Sequence, residues 1–177
     1  MSILRQSLAE LLEESGAVGS EGLSSARDYA ERHDIKTSEA LVKLGLAEES
    51  QIVEALAQQS GLPSMSTIPI ESVDLDLYPD LPISFAKNHG VMPLWPDKTG
   101  RIAVAVSNPY ATDAVDDLRV LLDRPITVYI AGSDQILEAI NRVYDRLVRS
   151  AGQVIEDMEN KGEGGHQGIE EIEDIVD

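Results

Sequence analysis

Residues 81–94 read L-P-I-S-F-A-K-N-H-G-V-M-P-L, and this stretch decides how the second half of the chain is interpreted. Pro82 predicts the start of a helix, because its fixed φ suits a first helical turn. Gly90 then allows the chain to reverse into an apolar strand that begins at Val91. The stretch predicts a short helix that leads directly into a strand, and we interpret it as the joint between a helical half and a sheet.

Downstream of this stretch, strands and helices alternate. Apolar runs predict strands at 91–95, 101–106 and 125–131. The connection P-D-K-T-G between the first two strands is hairpin-like and ends in glycine. Helical patterns occupy 111–122 and 133–147. The order helix, strand, strand, helix, strand, helix predicts a small mixed sheet covered by helices.

Upstream, residues 3–60 show apolar residues at helical spacing and predict four helices. Gly16, Gly45 and Gly61 are placed to end three of them. L-A-E-L-L-E-E-S-G-A-V at 8–18 also matches S-E-A-L-V-K-L-G-L-A at 38–47 when Gly16 is laid on Gly45, 29 positions later. The pattern predicts a small bundle made of two repeated helix pairs.

The C-terminal part, residues 150–177, is rich in glycine and acids and predicts a flexible acidic tail. The whole chain is therefore predicted to be α+β. A helical bundle at 1–62 precedes a mixed-sheet α/β sandwich at 63–149, and a linker or tail occupies 150–177.

Composition excludes several functions. The chain of 177 residues has a net charge of −18 and no cysteine, which argues against nucleic-acid binding, disulfides and thiolate chemistry. Its three histidines are not at metal-ligand spacing, and no P-loop pattern G-x-x-x-x-G-K-[ST] occurs. We find neither a signal peptide nor an apolar run of membrane-spanning length. The sequence predicts a non-enzymatic domain without a cofactor or metal of its own.

Four ordered motifs carry a resemblance to a known family. They are L-G-L-A-E-E-S-Q-I-V-E-A-L-A-Q-Q-S-G-L-P, L-P-I-S-F-A-K-N-H-G-V-M-P-L, I-A-V-A-V-S-N-P with a later D-D-L, and I-L-E-A-I-N-R-V-Y. Together they cover roughly residues 3–147. This set resembles the N-terminal domain of bacterial type II secretion and type IV pilus assembly ATPases of the GspE and PilB type, a relative of the MshE N-terminal domain.

The resemblance implies that the full protein is a cytoplasmic hexameric ATPase, peripheral to the inner membrane through its partners. ATP and Mg²⁺ would bind a C-terminal ATPase domain that this chain lacks, so the chain is expected to be a fragment. The resemblance further implies that this domain binds the cytoplasmic part of an L-type inner-membrane subunit. Hydrolysis would thereby be coupled to pilus or pseudopilus assembly and protein secretion, with only indirect membrane contact. The candidate docking face on the first helix comprises Ile3, Leu4, Leu8 and Leu11, whose alternative role is packing within the bundle.

An alternative function is the sensing of cyclic di-GMP, which a relative binds through tandem copies of R-L-G-x-x-L-L-x-x-G-L-I-x-x-x-x-L-x-x-x-L-x-x-Q. The second repeat here gives the candidate site residues Lys36, Leu41, Gly45 and Gln59. Both repeats depart from the pattern where it has R-L-G. Residues 36–38 of the second repeat read K-T-S, and residues 7–9 of the first repeat read S-L-A. Loss of both arginines removes bidentate phosphate contacts, which leaves helix packing as the competing interpretation of the repeat.

Overall fold

A computed structural model of the protein describes residues 6–163. It confirms the α+β class, with a helical bundle followed by a mixed sheet covered by helices. The predictions for Ile3, Leu4 and the tail beyond residue 163 lie outside the described residues. Of the described helices, none is both long enough and apolar enough to cross a membrane.

The bundle contains the two predicted helix pairs. Its helices are α1 (Leu8–Glu14), α2 (Ser20–His33), α3 (Thr37–Lys43) and α4 (Glu49–Ser60). Contacts between α1 and α4 and between α2 and α3 close the bundle. Ala26 on α2 and Ala40 on α3 are fully buried, and such small side chains allow neighbouring helices to approach closely.

The repeat is confirmed at the level of individual hydrogen bonds. Gly16 (φ 72°) and Gly45 (φ 66°) both adopt the left-handed conformation that ends a helix. The next two residues after each glycine donate their N–H groups to one carbonyl, that of Leu12 in the first repeat and of Leu41 in the second. Both leucine side chains are 1% exposed. The two turns are therefore structurally equivalent.

The sheet contains strands β1 (Val91–Pro96), β2 (Ile102–Val106) and β3 (Ile126–Ile130) in that order. β1 pairs with β2 in the antiparallel sense and β2 with β3 in the parallel sense. All five residues of the central strand β2 are buried. The covering helices are α5 (Ile83–His89), α6 (Thr112–Leu122) and α7 (Ser133–Glu163). The mixed sheet predicted from the order of elements is thus confirmed.

The segment between the bundle and α5 is built from short turns and long-range hydrogen bonds. It contains two 3₁₀ turns, Ile70–Ser72 and Leu75–Leu77. Side chains of α7 donate hydrogen bonds to backbone carbonyl oxygens of this segment: Gln135 to Ser66 at 2.8 Å, Tyr144 to Leu81 at 2.6 Å and Arg146 to Ile70 at 2.7 Å. These long-range bonds replace the regular secondary structure that the prolines of the segment disfavour.

Tyr78 fixes the end of this segment in the core. Its side chain is 1% exposed, and its hydroxyl donates a hydrogen bond to the carbonyl oxygen of Pro93. Its ring contacts Tyr144 edge-on, with ring centroids 5.5 Å apart. Burial raises the pKa of Tyr78 far above its ordinary value and the pKa of Tyr144 to about 12. Both phenols therefore stay neutral in the folded protein at physiological pH.

Our interpretation of residues 81–94 as the joint between the two halves is wrong. α5 packs against α7 and β1. The bundle meets the sheet through α4, since Val53 lies in the core of the sheet and Leu56 contacts both cores. The chain after α4 then pairs with the edge of β3, where Ile130 exchanges backbone hydrogen bonds with Pro63 and Met65. This contact joins residues distant in sequence, which local patterns do not reveal.

The predicted end of the last helix at Leu147 is also wrong. α7 continues to Glu163, although the side chains of residues 150–162 are exposed. Val148, Ala151, Ile155 and Met158 keep helical spacing beyond the predicted end. The first part of the predicted tail is therefore a helix that leaves the core rather than a coil.

Candidate functional site

The predicted docking face on α1 is largely occupied by the bundle itself. Leu11 is 6% exposed and belongs to the bundle core, and Leu8 packs against that core. A capping box holds the start of the helix, because Ser7 and Glu10 exchange side-chain to backbone hydrogen bonds. Docking through Leu8 and Leu11 would require α1 to leave α4, so this use of the helix stays a prediction.

Two of the four candidate nucleotide residues lie at opposite ends of α3. Lys36 precedes α3 and Gly45 follows it, so a helix of seven residues separates them by roughly 13 Å. Leu41 points into the bundle core with 1% of its side chain exposed. The Gln59 amide donates a hydrogen bond of 3.1 Å to the backbone carbonyl of Gln6. A nucleotide site made by these four residues stays a prediction.

The charge of the bundle opposes an anionic ligand. Residues 6–62 carry 11 acids and 4 bases. One of those bases, Lys43, lies 2.9 Å from Glu39, and this neighbour raises the pKa of the lysine. A ligand with two phosphates would therefore meet a field of the same sign.

A cleft of about 230 Å³ lies where the bundle meets the sheet, between α4, residues 64–66 and the start of α7. Its walls include Glu49, Glu54 and Gln135, and its apolar lining comes from Val53 and Met65. Within residues 6–163, no group of three or more potential metal-ligating side chains is close enough to hold an ion. The cleft is polar and acidic, which suits a cationic side chain better than a phosphate.

Glu49 connects the two halves across this cleft. Its carboxylate accepts a hydrogen bond of 2.7 Å from the backbone N–H of Asp134, in the first turn of α7. This bond satisfies one of the free N–H groups at the start of that helix and places a negative charge at the positive end of its dipole. A side chain at Gly132 would collide with the carboxylate, since a Cβ atom there would lie 2.3 Å from Glu49 Cδ. The sequence offers no local signal for this cap, because its partner is 85 positions away.

We expect Glu49→Ala and Gly132→Ala each to lower the free energy of unfolding by about 1 kcal/mol, as the loss of a helix cap does. Because both changes remove the same contact, the double variant should cost about as much as either single variant. Urea unfolding of the four proteins measures this. Costs that simply add in the double variant would show that the two residues act independently.

Sequence reasoning missed the exposed apolar side chains near the end of α7. Val148, Val154, Ile155 and Met158 are 73%, 52%, 59% and 69% exposed. Together with Ala151 they recur three or four residues apart from one turn to the next, and this spacing was the available signal. The glycine-rich and acidic composition of the tail outweighed it.

The family model for the MshEN domain matches residues 60–150, which contain the sheet, α5, α6 and the first part of α7. The Type IV pilus assembly ATPase PilB of Myxococcus xanthus is 30% identical over 174 residues, covering 96% of this chain and 30% of that protein. The Type II secretion system protein E of Xanthomonas campestris pv. campestris is 24% identical over 140 residues, covering 77% of this chain and 24% of that protein. The chain therefore spans less than a third of the length of either relative.

Two solved structures have a similar fold. The structure of MshE with cdg has a TM-score of 0.62 and 27% identity, and the match covers 79% of this chain and all of that chain. The structure of the N-terminal domain of XpsE has a TM-score of 0.60 and 23% identity, covering 76% of this chain and 92% of that chain. The second similarity supports the fold alone.

Proposed function

This chain belongs to the MshEN family of N-terminal domains of secretion and pilus ATPases, and we therefore propose that it is a non-catalytic docking domain of such an ATPase. In this role it binds the cytoplasmic part of an inner-membrane subunit. It thereby couples ATP hydrolysis elsewhere in a longer, hexameric protein to pilus or pseudopilus assembly. The domain acts in the cytoplasm and reaches the membrane only through that subunit.

One observation carries the proposal: 96% of the chain aligns with only 30% of a pilus assembly ATPase. The sequence also contains no P-loop pattern, so on this proposal ATP and Mg²⁺ bind the remaining part of the longer protein. The shared core of α4 and the Glu49 contact support the role further, because they hold the two halves of the domain in one orientation. A rigid domain of this kind transmits force between a membrane partner and a motor.

Deletion of residues 1–177 from the longer protein tests this role. We expect the remaining ATPase to hydrolyse ATP in solution while the cell loses pilus assembly or secretion, and co-expression of a fusion to the missing domain should restore it. Loss of hydrolysis together with assembly would instead indicate a catalytic or structural role for this chain within the motor.

A second candidate function is cyclic di-GMP sensing, favoured by the similarity to the structure of MshE with cdg and by the two equivalent glycine turns. Calorimetry with cyclic di-GMP tests it directly. Binding that weakens about tenfold in Lys36→Ala would favour the ligand role. A flat titration at tens of micromolar protein would leave the repeat with a packing role only.

A further inference from the structure

The exposed end of α7 carries an apolar stripe, which we define as Leu147, Val148, Ala151, Val154, Ile155 and Met158. These residues recur at intervals of three and four, so they lie on one side of the helix. Each of the valine, isoleucine and methionine side chains is at least half exposed. The stripe therefore presents several large apolar side chains to solvent without a partner among residues 6–163.

The stripe continues the face through which α7 packs on the sheet. Ile136, Ile140 and Val143 are buried in the sheet core, and Leu147 is half-buried against it. From Val148 onward the same helix has left the sheet, and its apolar side chains lose their cover. An amphipathic helix of this kind ordinarily buries its apolar face against another element.

One flank of the stripe is acidic and the other is mixed. Glu159 lies one turn beyond Ile155, with Glu156 beside it on the same flank. On the other flank, Asp157 lies one turn beyond Val154 and Lys161 one turn beyond Asp157, so that flank carries both signs of charge. Residues 148–163 contain four acids and two bases. A complementary surface would be apolar at its centre and basic along the edge that meets Glu156 and Glu159.

This charge pattern separates the possible occupants of the stripe. Helices that lie on membranes have mainly basic residues along their polar face, whereas here acids outnumber bases and one flank is purely acidic. A second copy would bring the same acidic flank and another net charge of −18 to the contact. Neither matches the stripe as well as a basic protein segment does.

We propose that the apolar stripe of α7 is a docking surface for an amphipathic helix of a partner protein that carries lysine or arginine along the edge of its apolar face that meets Glu156 and Glu159. The proposal rests on the docking role proposed above, for which it names the surface and the chemistry of the partner. Apolar contacts supply the affinity of such a helix-to-helix complex, and the opposite charges select the partner and its orientation.

A synthetic helical peptide of about 18 residues, with leucine at helical spacing and lysine elsewhere, probes this surface in a fluorescence anisotropy titration. We expect this peptide to bind the chain. Binding should weaken at least about tenfold for an acidic version of the peptide and for a scrambled version, and equally when the chain carries Ile155→Asp/Met158→Asp, the stripe variant. The matched control is Gln153→Asp/Asn160→Asp. It adds the same charge to exposed positions on the opposite side of the helix and should leave the affinity unchanged.

Several results would overturn the proposal. These are equal losses in the stripe and control variants, equal binding of the acidic peptide, dimerisation that Ile155→Asp abolishes, or association with anionic vesicles. Circular dichroism checks that the variants remain folded, which we expect because the substituted side chains do not contact the core. If the inner-membrane subunit binds the stripe variant as tightly as the unmodified chain, the docking role stands and this surface assignment fails. If the peptide binds the stripe but the inner-membrane subunit binds neither the unmodified chain nor the stripe variant, the docking role fails.

Discussion

Tyr78→Ala is expected to lower the free energy of unfolding by about 3–5 kcal/mol, the range for removal of a buried aromatic ring from a core. Tyr78 is among the largest fully buried side chains of the described residues. Its removal eliminates the edge-on contact with Tyr144, leaves the Pro93 carbonyl without its hydroxyl donor, and opens a cavity between the segment before α5 and β1.

Urea unfolding monitored by circular dichroism measures this effect. Tyr78→Phe keeps the ring and loses only the hydrogen bond, so we expect a smaller cost of about 1–2 kcal/mol. Tyr110→Ala is the control, because that side chain is 50% exposed and its loss should change stability by less than about 0.5 kcal/mol. A cost below about 1 kcal/mol for Tyr78→Ala would contradict the packing described for this segment.

Leu12→Ala and Leu41→Ala are each expected to cost about 2–5 kcal/mol, and the two values should agree within about 1 kcal/mol. The reason is the repeat: both leucines are 1% exposed, and both carbonyls accept two N–H groups from the following left-handed turn. Leu44→Ala, with 39% of its side chain exposed, serves as the control. Thermal and urea unfolding of the three variants compare the two turns.

This comparison also separates two roles for Leu41, which the sequence suggested as part of a nucleotide site. A large stability cost equal to that of Leu12 indicates a core residue. Conversely, if Leu41→Ala left stability unchanged and weakened cyclic di-GMP binding, the packing account of the repeat would be contradicted.

Much of the fold could be predicted because its signals are local. The left-handed turns at Gly16 and Gly45 follow from glycine placed after an apolar helical pattern. The order of elements from α5 to α7 follows from the succession of helical patterns and apolar strand runs along the chain. That order limits the sheet to a few topologies. These features need information from only a few neighbouring residues.

Features that depend on distant contacts were missed. The junction between the halves uses α4 and the edge of β3, and the Glu49 cap of α7 joins two residues 85 positions apart. The end of α7 was misplaced for a different reason, since glycines and acids in the tail outweighed the helical spacing of Ile155 and Met158. Among the candidate site residues, Leu11 and Leu41 are buried. The sequence could not reveal this, because apolar helical spacing alone does not distinguish a docking face from a core face.

Calorimetric titration of this chain with the cytoplasmic region of the inner-membrane subunit encoded in the same system tests the central claim most directly. We predict saturable binding with one subunit per chain and a dissociation constant in the micromolar range or tighter, which corresponds to about −8 kcal/mol or more favourable. The opposite-face control Gln153→Asp/Asn160→Asp should bind equally well. Absence of measurable binding at about 100 μM of both proteins, a concentration at which a micromolar complex is nearly saturated, would contradict the docking function.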